Sequence, residues 1–178
     1  MKEASPAVIE TVRLRLVPIP PEAVRSMLEG DREGGRRALG APLPADFPGP
    51  DDAHPLAVQL ERMERAPARR AWLARLIVLA ASGEAVGWVA FHGPPEMIGR
   101  AELGYTVFAR YRGRGYATEA TRGMIEWARA EGSPAVFLTI SPDNGPSLAV
   151  ARRLLFRQVG VQEDEVDGTE LVFRLDLE

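Results

Sequence analysis

The chain has 178 residues, a formal net charge of -3, 46% hydrophobic and 26% charged residues, the composition of an ordinary soluble globule with one sizeable core. No cysteine is present and the two histidines, His54 and His92, stand apart, which excludes disulfides and thiolate nucleophiles and leads us to expect no metal. Net acidity argues against a nucleic-acid surface, no apolar run is long enough for a membrane span, and MKEASPAVIE has no signal-peptide core, so a single cytoplasmic domain over residues 1–178 is expected.

Thr11 to Val17 alternates Val12, Leu14 and Leu16 with Arg13 and Arg15, the period-two pattern of a half-buried strand, which Pro18 and Pro20 stop. Pro21 to Glu29 reads as a helix with proline in its first turn and Ala23, Val24, Met27 and Leu28 on one stripe. Gly30 to Pro55 carries five glycines and five prolines and predicts a long loop with at most a short helical turn, either surface or substrate lining. Leu56 to Arg65 returns to a helical pattern. Trp72 to Ala81 and Ala85 to His92 read as a hairpin through Ser82-Gly83-Glu84, and a second connection, GPPEMIGR, leads to a strand at Ala101 to Phe108. Ala117, Ala120, Met124 and Ala128 predict a helix ending near Gly132, followed by a strand at Ala135 to Ile140. The loop SPDNGPS supplies a cap for a helix over Leu148 to Phe156. Arg157 to Gln162 and Thr169 to Leu177 close the chain as a hairpin across Asp167-Gly168. This order predicts an α/β fold with a mixed, mostly antiparallel central sheet flanked by helices.

RYRGRGYATEA, Arg110 to Ala120, follows a strand and opens a helix. A glycine turn at a helix N-terminus gathers unpaired amides and the positive end of the helix dipole, a device for holding phosphate. The nucleotide P-loop is excluded because its lysine is missing. The dinucleotide fingerprint fails because its third glycine position is Thr118 and the preceding strands form hairpins. A merely solvated, arginine-rich helix start is the plain alternative.

Arg110-Tyr111-Arg112-Gly113-Arg114-Gly115 matches the Arg/Gln-x-x-Gly-x-Gly/Ala motif of the GNAT superfamily of acyl-CoA-dependent N-acyltransferases, and AELGYTVFARYRGRGYATEA resembles that family's strand and pyrophosphate loop. Asn144-Gly145-Pro146-Ser147 followed by RRLLF resembles the Asn-x-x-Ser…Lys-Leu-Gly-Phe segment of the branch that acetylates protein N-termini, ribosomal proteins included. Thr11 to Leu16 is similar to that branch's opening strand. The resemblance implies acetyl-CoA in a cleft where the strand ending at Phe108 splays from the strand at Ala135 to Ile140. It implies that Arg112, Gly113, Arg114, Gly115, Tyr116 and Ala117 hold the pyrophosphate. The pantetheine arm would pair with the main chain of Val107, Phe108 and Ala109, with Asn144 hydrogen-bonding it. The acceptor would be a protein N-terminus or a small-molecule amine, and a homodimer stays open.

Acetyl transfer needs a neutral amine, a polarised thioester carbonyl and a proton for the departing thiolate. A backbone N–H near Val107 or Phe108 would polarise the carbonyl. Many relatives carry a tyrosine five residues before the closing phenylalanine, but that position is Ala151, which leaves Ser147 as the donor to sulfur or as a plain first-turn serine. Glu102, on a strand face with Gly104, Thr106 and Phe108, is the candidate general base if it does not simply face solvent, and His92 is the second. Near pH 7.4 a lysine amine lies about 4 kcal/mol from its neutral form and an α-amine under about 1, so weak base machinery fits an α-amine. Leu155 replaces the family's glycine before the phenylalanine, which predicts local repacking. Loss of the tyrosine keeps a non-catalytic acyl-CoA-binding module as the alternative.

Overall fold

The computed structural model describes residues 6–45, 47–164 and 168–177. Eight strands, β1 (Ile9–Glu10), β2 (Leu14–Pro18), β3 (Arg75–Leu79), β4 (Ala85–Phe91), β5 (Ala101–Val107), β6 (Ala135–Ile140), β7 (Arg157–Asp164) and β8 (Gly168–Asp176), form one sheet in the order β1-β2-β3-β4-β5-β6-β8-β7. Strands β1 to β5 pair antiparallel, as do β6, β8 and β7, and the two groups join through a parallel β5–β6 contact. The helices are α1 (Pro21–Leu28), α2 (Arg32–Leu39), α3 (Pro50–Arg65), the single turn α4 (Pro95–Ile98), α5 (Tyr116–Ala130) and α6 (Gly145–Arg153). The mixed, mostly antiparallel sheet flanked by helices is therefore as expected. The turn expected at Asp167-Gly168 lies partly outside the described residues.

Two apolar cores occupy the two faces of the sheet. On one, Leu103 and Val107 of β5, Val136 and Leu138 of β6, Met124 of α5 and Val150 of α6 pack together. On the other, Val24 and Met27 of α1 and Leu56 and Met63 of α3 pack against Leu76, Val78 and Trp88.

The segment expected to be a loop holds α2 and the first turn and a half of α3. Asp31 caps α2 by accepting from the Gly34 amide at 2.9 Å. A side chain at Gly35 would stand 2.8 Å from Met27 Cγ, so the glycine that argued against a helix is what lets α2 approach α1. Helix α3 begins at Pro50, where proline suits a first turn, and runs on through Pro55. The strand expected from Trp72 shortens to Arg75–Leu79, and Pro67–Trp72 forms a 3-10 turn instead. It delivers Trp72 against Phe91 and Trp127 at ring-centroid distances of 5.0 and 4.8 Å.

One buried carboxylate ties the α3 start to the sheet. Asp52 accepts from the Gly49 amide and from Trp88 Nε1, both at 2.9 Å. At the far end of the fold, α6 closes in a Schellman turn: the Phe156 amide bonds to the Ala151 carbonyl at 3.0 Å and the Leu155 amide to the Arg152 carbonyl at 3.1 Å. Leu155 itself sits at φ 63°, in the left-handed region that glycine favours, and is 78% exposed. The repacking expected there takes the form of backbone strain, with the leucine pushed into solvent.

Asp52→Ala removes a cap and strands a buried indole N–H, an expected loss of about 2–4 kcal/mol by chemical denaturation. Leu155→Gly relieves a left-handed backbone worth about 1 kcal/mol, part of it offset by glycine's freer unfolded chain, and should gain about 0.5 kcal/mol. Leu155→Ala, which keeps a Cβ, should gain nothing.

Candidate active site

Strands β5 and β6 pair at Ala101↔Val136 and Glu102↔Phe137 and then part, while β5 stays paired to β4 as far as Val107↔Gly87. The His92 amide donates to the Glu102 carbonyl at 2.7 Å and the Phe108 amide to the Val86 carbonyl at 2.9 Å. An antiparallel ladder bonds alternate residues, so Tyr105 and Val107 turn their main-chain groups away from β4 and into the fork. The fork opens a cleft of about 610 Å³, walled by Tyr105 to Val107, by Arg112, Gly113 and the Gly115 to Thr118 segment, and by α6.

At the cleft mouth Gly113 and Gly115 stand at φ 76° and 81°, left-handed positions that only glycine takes cheaply. The first intrahelical bond of α5 runs from the Glu119 amide to the Gly115 carbonyl at 3.0 Å, so the amides before it have no helical acceptor. The loop is braced from the N-terminal strand region. Glu119 accepts from Thr11 Oγ1 at 2.6 Å and from Arg13 N and Nε at 2.7 and 2.6 Å. Burial alone would raise the Glu119 carboxyl, but these donors outweigh it and hold it below its ordinary value. Arg13 also donates to the Arg114 carbonyl at 3.1 Å and lies over the Tyr116 ring.

Of the residues expected to hold coenzyme, Val107, Arg112, Gly113, Gly115, Tyr116, Ala117 and Asn144 line this cleft, as does Ser147. Others face different work. The Arg112 guanidinium donates to the Val107 carbonyl at 2.9 Å, locking the loop to β5. The Phe108 carbonyl accepts from the Tyr111 amide at 2.8 Å and the Ala109 carbonyl from the Arg112 amide at 3.3 Å, so both carbonyls are engaged in a tight turn, as the Phe108 amide is with β4. The main-chain groups open to the fork are thus the N–H and C=O of Tyr105, upstream of the expected stretch, and the N–H of Val107, the Val107 carbonyl being taken by Arg112. Arg114 reaches back to the Arg110 carbonyl at 3.5 Å, outside the cleft lining. Asn144 Oδ1 caps α6 by accepting from the Ser147 amide at 3.2 Å, leaving its amide nitrogen for other partners.

Glu102 and His92 sit on the opposite face of β5. Far from facing solvent, Glu102 is buried at the apex of the fork. One carboxylate oxygen accepts from Thr139 Oγ1 of β6 at 2.7 Å and lies 3.3 Å from His92 Nδ1, while the other accepts from Arg100 Nε at 2.7 Å. His92 Nε2 lies 3.0 Å from where a Gly104 side chain would begin, so the absent Cβ admits the ring. Burial pushes the Glu102 carboxyl up, but hydrogen bonds and charge from His92, with Thr139 and Arg100, bring it down to about 2. Such a carboxylate clamps its donors and is a poor proton acceptor near neutrality.

Sequence reasoning passed over Arg13, Glu119, Tyr105 and Arg153, the last of which lines the cleft from the end of α6. Glu119 was hidden by its ordinariness, an acid in a first helical turn being the usual complement to the dipole. Tyr105 carried one signal: strand alternation puts it on the face opposite Glu102, toward the helices. The Glu102 carboxyl falls from 4.5 when unfolded to about 2 when folded, so its stabilisation is complete above about pH 4.5 and fades as the pH drops toward 2. The stability gap between wild type and Glu102→Gln, read from urea midpoints, should be on the order of 3 kcal/mol at neutral pH and narrow across that acid range.

Residues 13–157 match the acetyltransferase (GNAT) domain family. Among curated proteins, an uncharacterized N-acetyltransferase p20 of Bacillus licheniformis is 27% identical over 89 residues, 49% of this chain and 50% of the relative, so the chain spans about half the length of that relative. An acetyltransferase structure from Agrobacterium tumefaciens str. C58 is 27% identical, with a TM-score of 0.65 over 97% of this chain and 96% of that one. The ribosomal L7/L12 alpha-N-protein acetyltransferase RimL, solved in complex with coenzyme A, shares the fold at 16% identity, with a TM-score of 0.65 over 96% of this chain and 98% of that one. With the domain matched over most of its length and the fold shared end to end, the chain belongs to the GNAT acetyltransferase family.

Proposed function

We propose that this chain transfers the acetyl group of acetyl-CoA directly to a primary amine, an α-amine at a peptide N-terminus or that of a small molecule. One observation carries the reading: β5 and β6 part after two backbone pairs, and unpaired α5 amides stand at the mouth of the gap so formed. Those amides and the glycine turn suit a pyrophosphate. The open edge at Tyr105 and Val107 suits the amide groups of the pantetheine arm, as an added strand would, with the Asn144 side-chain amide beside it. The Val107 N–H is the main-chain donor best disposed to polarise the thioester carbonyl.

In this reading Ser147 delivers a proton to the departing sulfur. His92, whose side chain is 45% exposed, takes the proton of the attacking amine, and Glu102, 3.3 Å from its Nδ1, orients the ring. RimL is named for acetylating an α-amine of a ribosomal protein; a peptide N-terminus is accordingly the first acceptor to try here.

Purified protein with acetyl-CoA and mixed amines should release free thiol in an acceptor-dependent way, faster with peptide N-termini than with lysine side chains. Coenzyme binding without such release would support a binding module instead. Gly113→Val and Gly115→Val force a side chain into left-handed backbone and should weaken acetyl-CoA binding roughly 50-fold or more by calorimetry. Arg114→Ala should stay within about threefold, the size expected of one exposed charge. Equal losses would mean that side chains, not backbone, hold the ligand.

A further inference from the structure

Tyr105 lies on β5 beyond the last backbone pair of the fork, in the wall of the cleft. Its hydroxyl is buried and makes no hydrogen bond of normal geometry among the described residues. The hydroxyl that acts on it is that of Ser147, carried on the first turn of α6 and lining the same cleft. Burial pushes the Tyr105 phenol above its ordinary value, with Ser147 pulling the other way, so the phenol stays protonated through the neutral range. For packing alone phenylalanine would serve this position better, because a buried hydroxyl without a partner is destabilising. A polar group kept there in the resting protein, close to a second hydroxyl, is aimed at something that happens in the cleft.

We propose that Tyr105 is a positioning residue for proton delivery, its O–H donating to Ser147 Oγ so that the serine proton points at the sulfur. The inference rests on the acetyl-transfer reading above. In the step it serves, the C–N bond to the amine forms, the C–S bond breaks and its electron pair stays on sulfur. Ser147 gives its proton to that sulfur, Tyr105 gives its own to Ser147 Oγ, and once the thiol has left the cleft solvent returns a proton to the phenolate through the Ser147 hydroxyl. The proton lost by the amine on the His92 side balances the one gained by sulfur. Tyr105 thus stands in from the sheet for the tyrosine whose place on α6 is taken by Ala151.

The test uses the full chain as Tyr105→Phe, Ser147→Ala and the double variant, with thiol release from acetyl-CoA in the presence of a peptide amine, calorimetric coenzyme binding and thermal unfolding. Tyr105→Phe should lower kcat about tenfold or more while KM for acetyl-CoA stays within about twofold. Its unfolding midpoint should be unchanged or higher. The double variant should be no slower than Ser147→Ala, because the phenol acts through the serine. Wild-type kcat in Tyr105→Phe, or losses that multiply in the double variant, would overturn the proposal. So would a destabilised Tyr105→Phe, since the hydroxyl would then be part of the packing. A wild-type chain that binds acetyl-CoA yet releases no thiol with any amine would instead remove the enzymatic reading, and this inference with it.

Discussion

A strand cannot be both paired and open, and β5 is asked to be both. Along one edge it keeps its antiparallel ladder with β4 to the end, while along the other it holds β6 for two residues and lets go. Unpaired main chain is tolerable only where water or a ligand can reach it, so the split fixes where the cleft must be. Glu102 marks the limit of the split. Its backbone is in the last β5–β6 pair, and its carboxylate reaches Thr139, two residues further along β6, like a rivet at the end of a slot. The N-terminal ends of α5 and α6 then flank the opening.

Strand alternation sorts the chemistry across this one element. Even-numbered Glu102 and Gly104 turn toward His92. Odd-numbered Tyr105 and Val107 turn toward α5 and α6. The side carrying Glu102 and His92 and the side carrying Tyr105 are therefore separated by the thickness of the sheet, and the fork is where they communicate. In the resting protein a carboxylate held near 2 on the first side and a phenol held protonated on the second keep fixed charge states throughout the neutral range.

Most of the sheet could be read from the sequence because alternation and turn residues at Ser82-Gly83-Glu84 or Asn144-Gly145-Pro146 are local properties. The helices between Gly30 and Pro55 could not. Gly35 is demanded by the contact with Met27, a neighbour in space, and α3 starts before Pro55 because Asp52 secures its first turn to Gly49 and to Trp88 of the sheet. The same division holds in the site. The glycine turn announces itself because left-handed backbone restricts residue type, whereas the assignments of Arg112 to Val107 and of Phe108 to Val86 depend on the path of the folded chain. Leu155 was legible as a departure from the family's spelling, but only the Schellman turn explains why a glycine suits that place.

The brace from Arg13 to the loop has a wider consequence. Glu119 gathers Thr11 and Arg13 from over a hundred residues earlier in the chain, at the start of a strand three places away from β5 in the sheet. Ordering the Gly113–Gly115 turn around an anion must therefore also quiet the edge of the sheet, along a route that bypasses β3 and β4 and runs over the top of α5. Amide exchange in β1 and β2, far from the fork, would then slow when an anion occupies the turn, making the first-synthesised strands a remote gauge of occupancy.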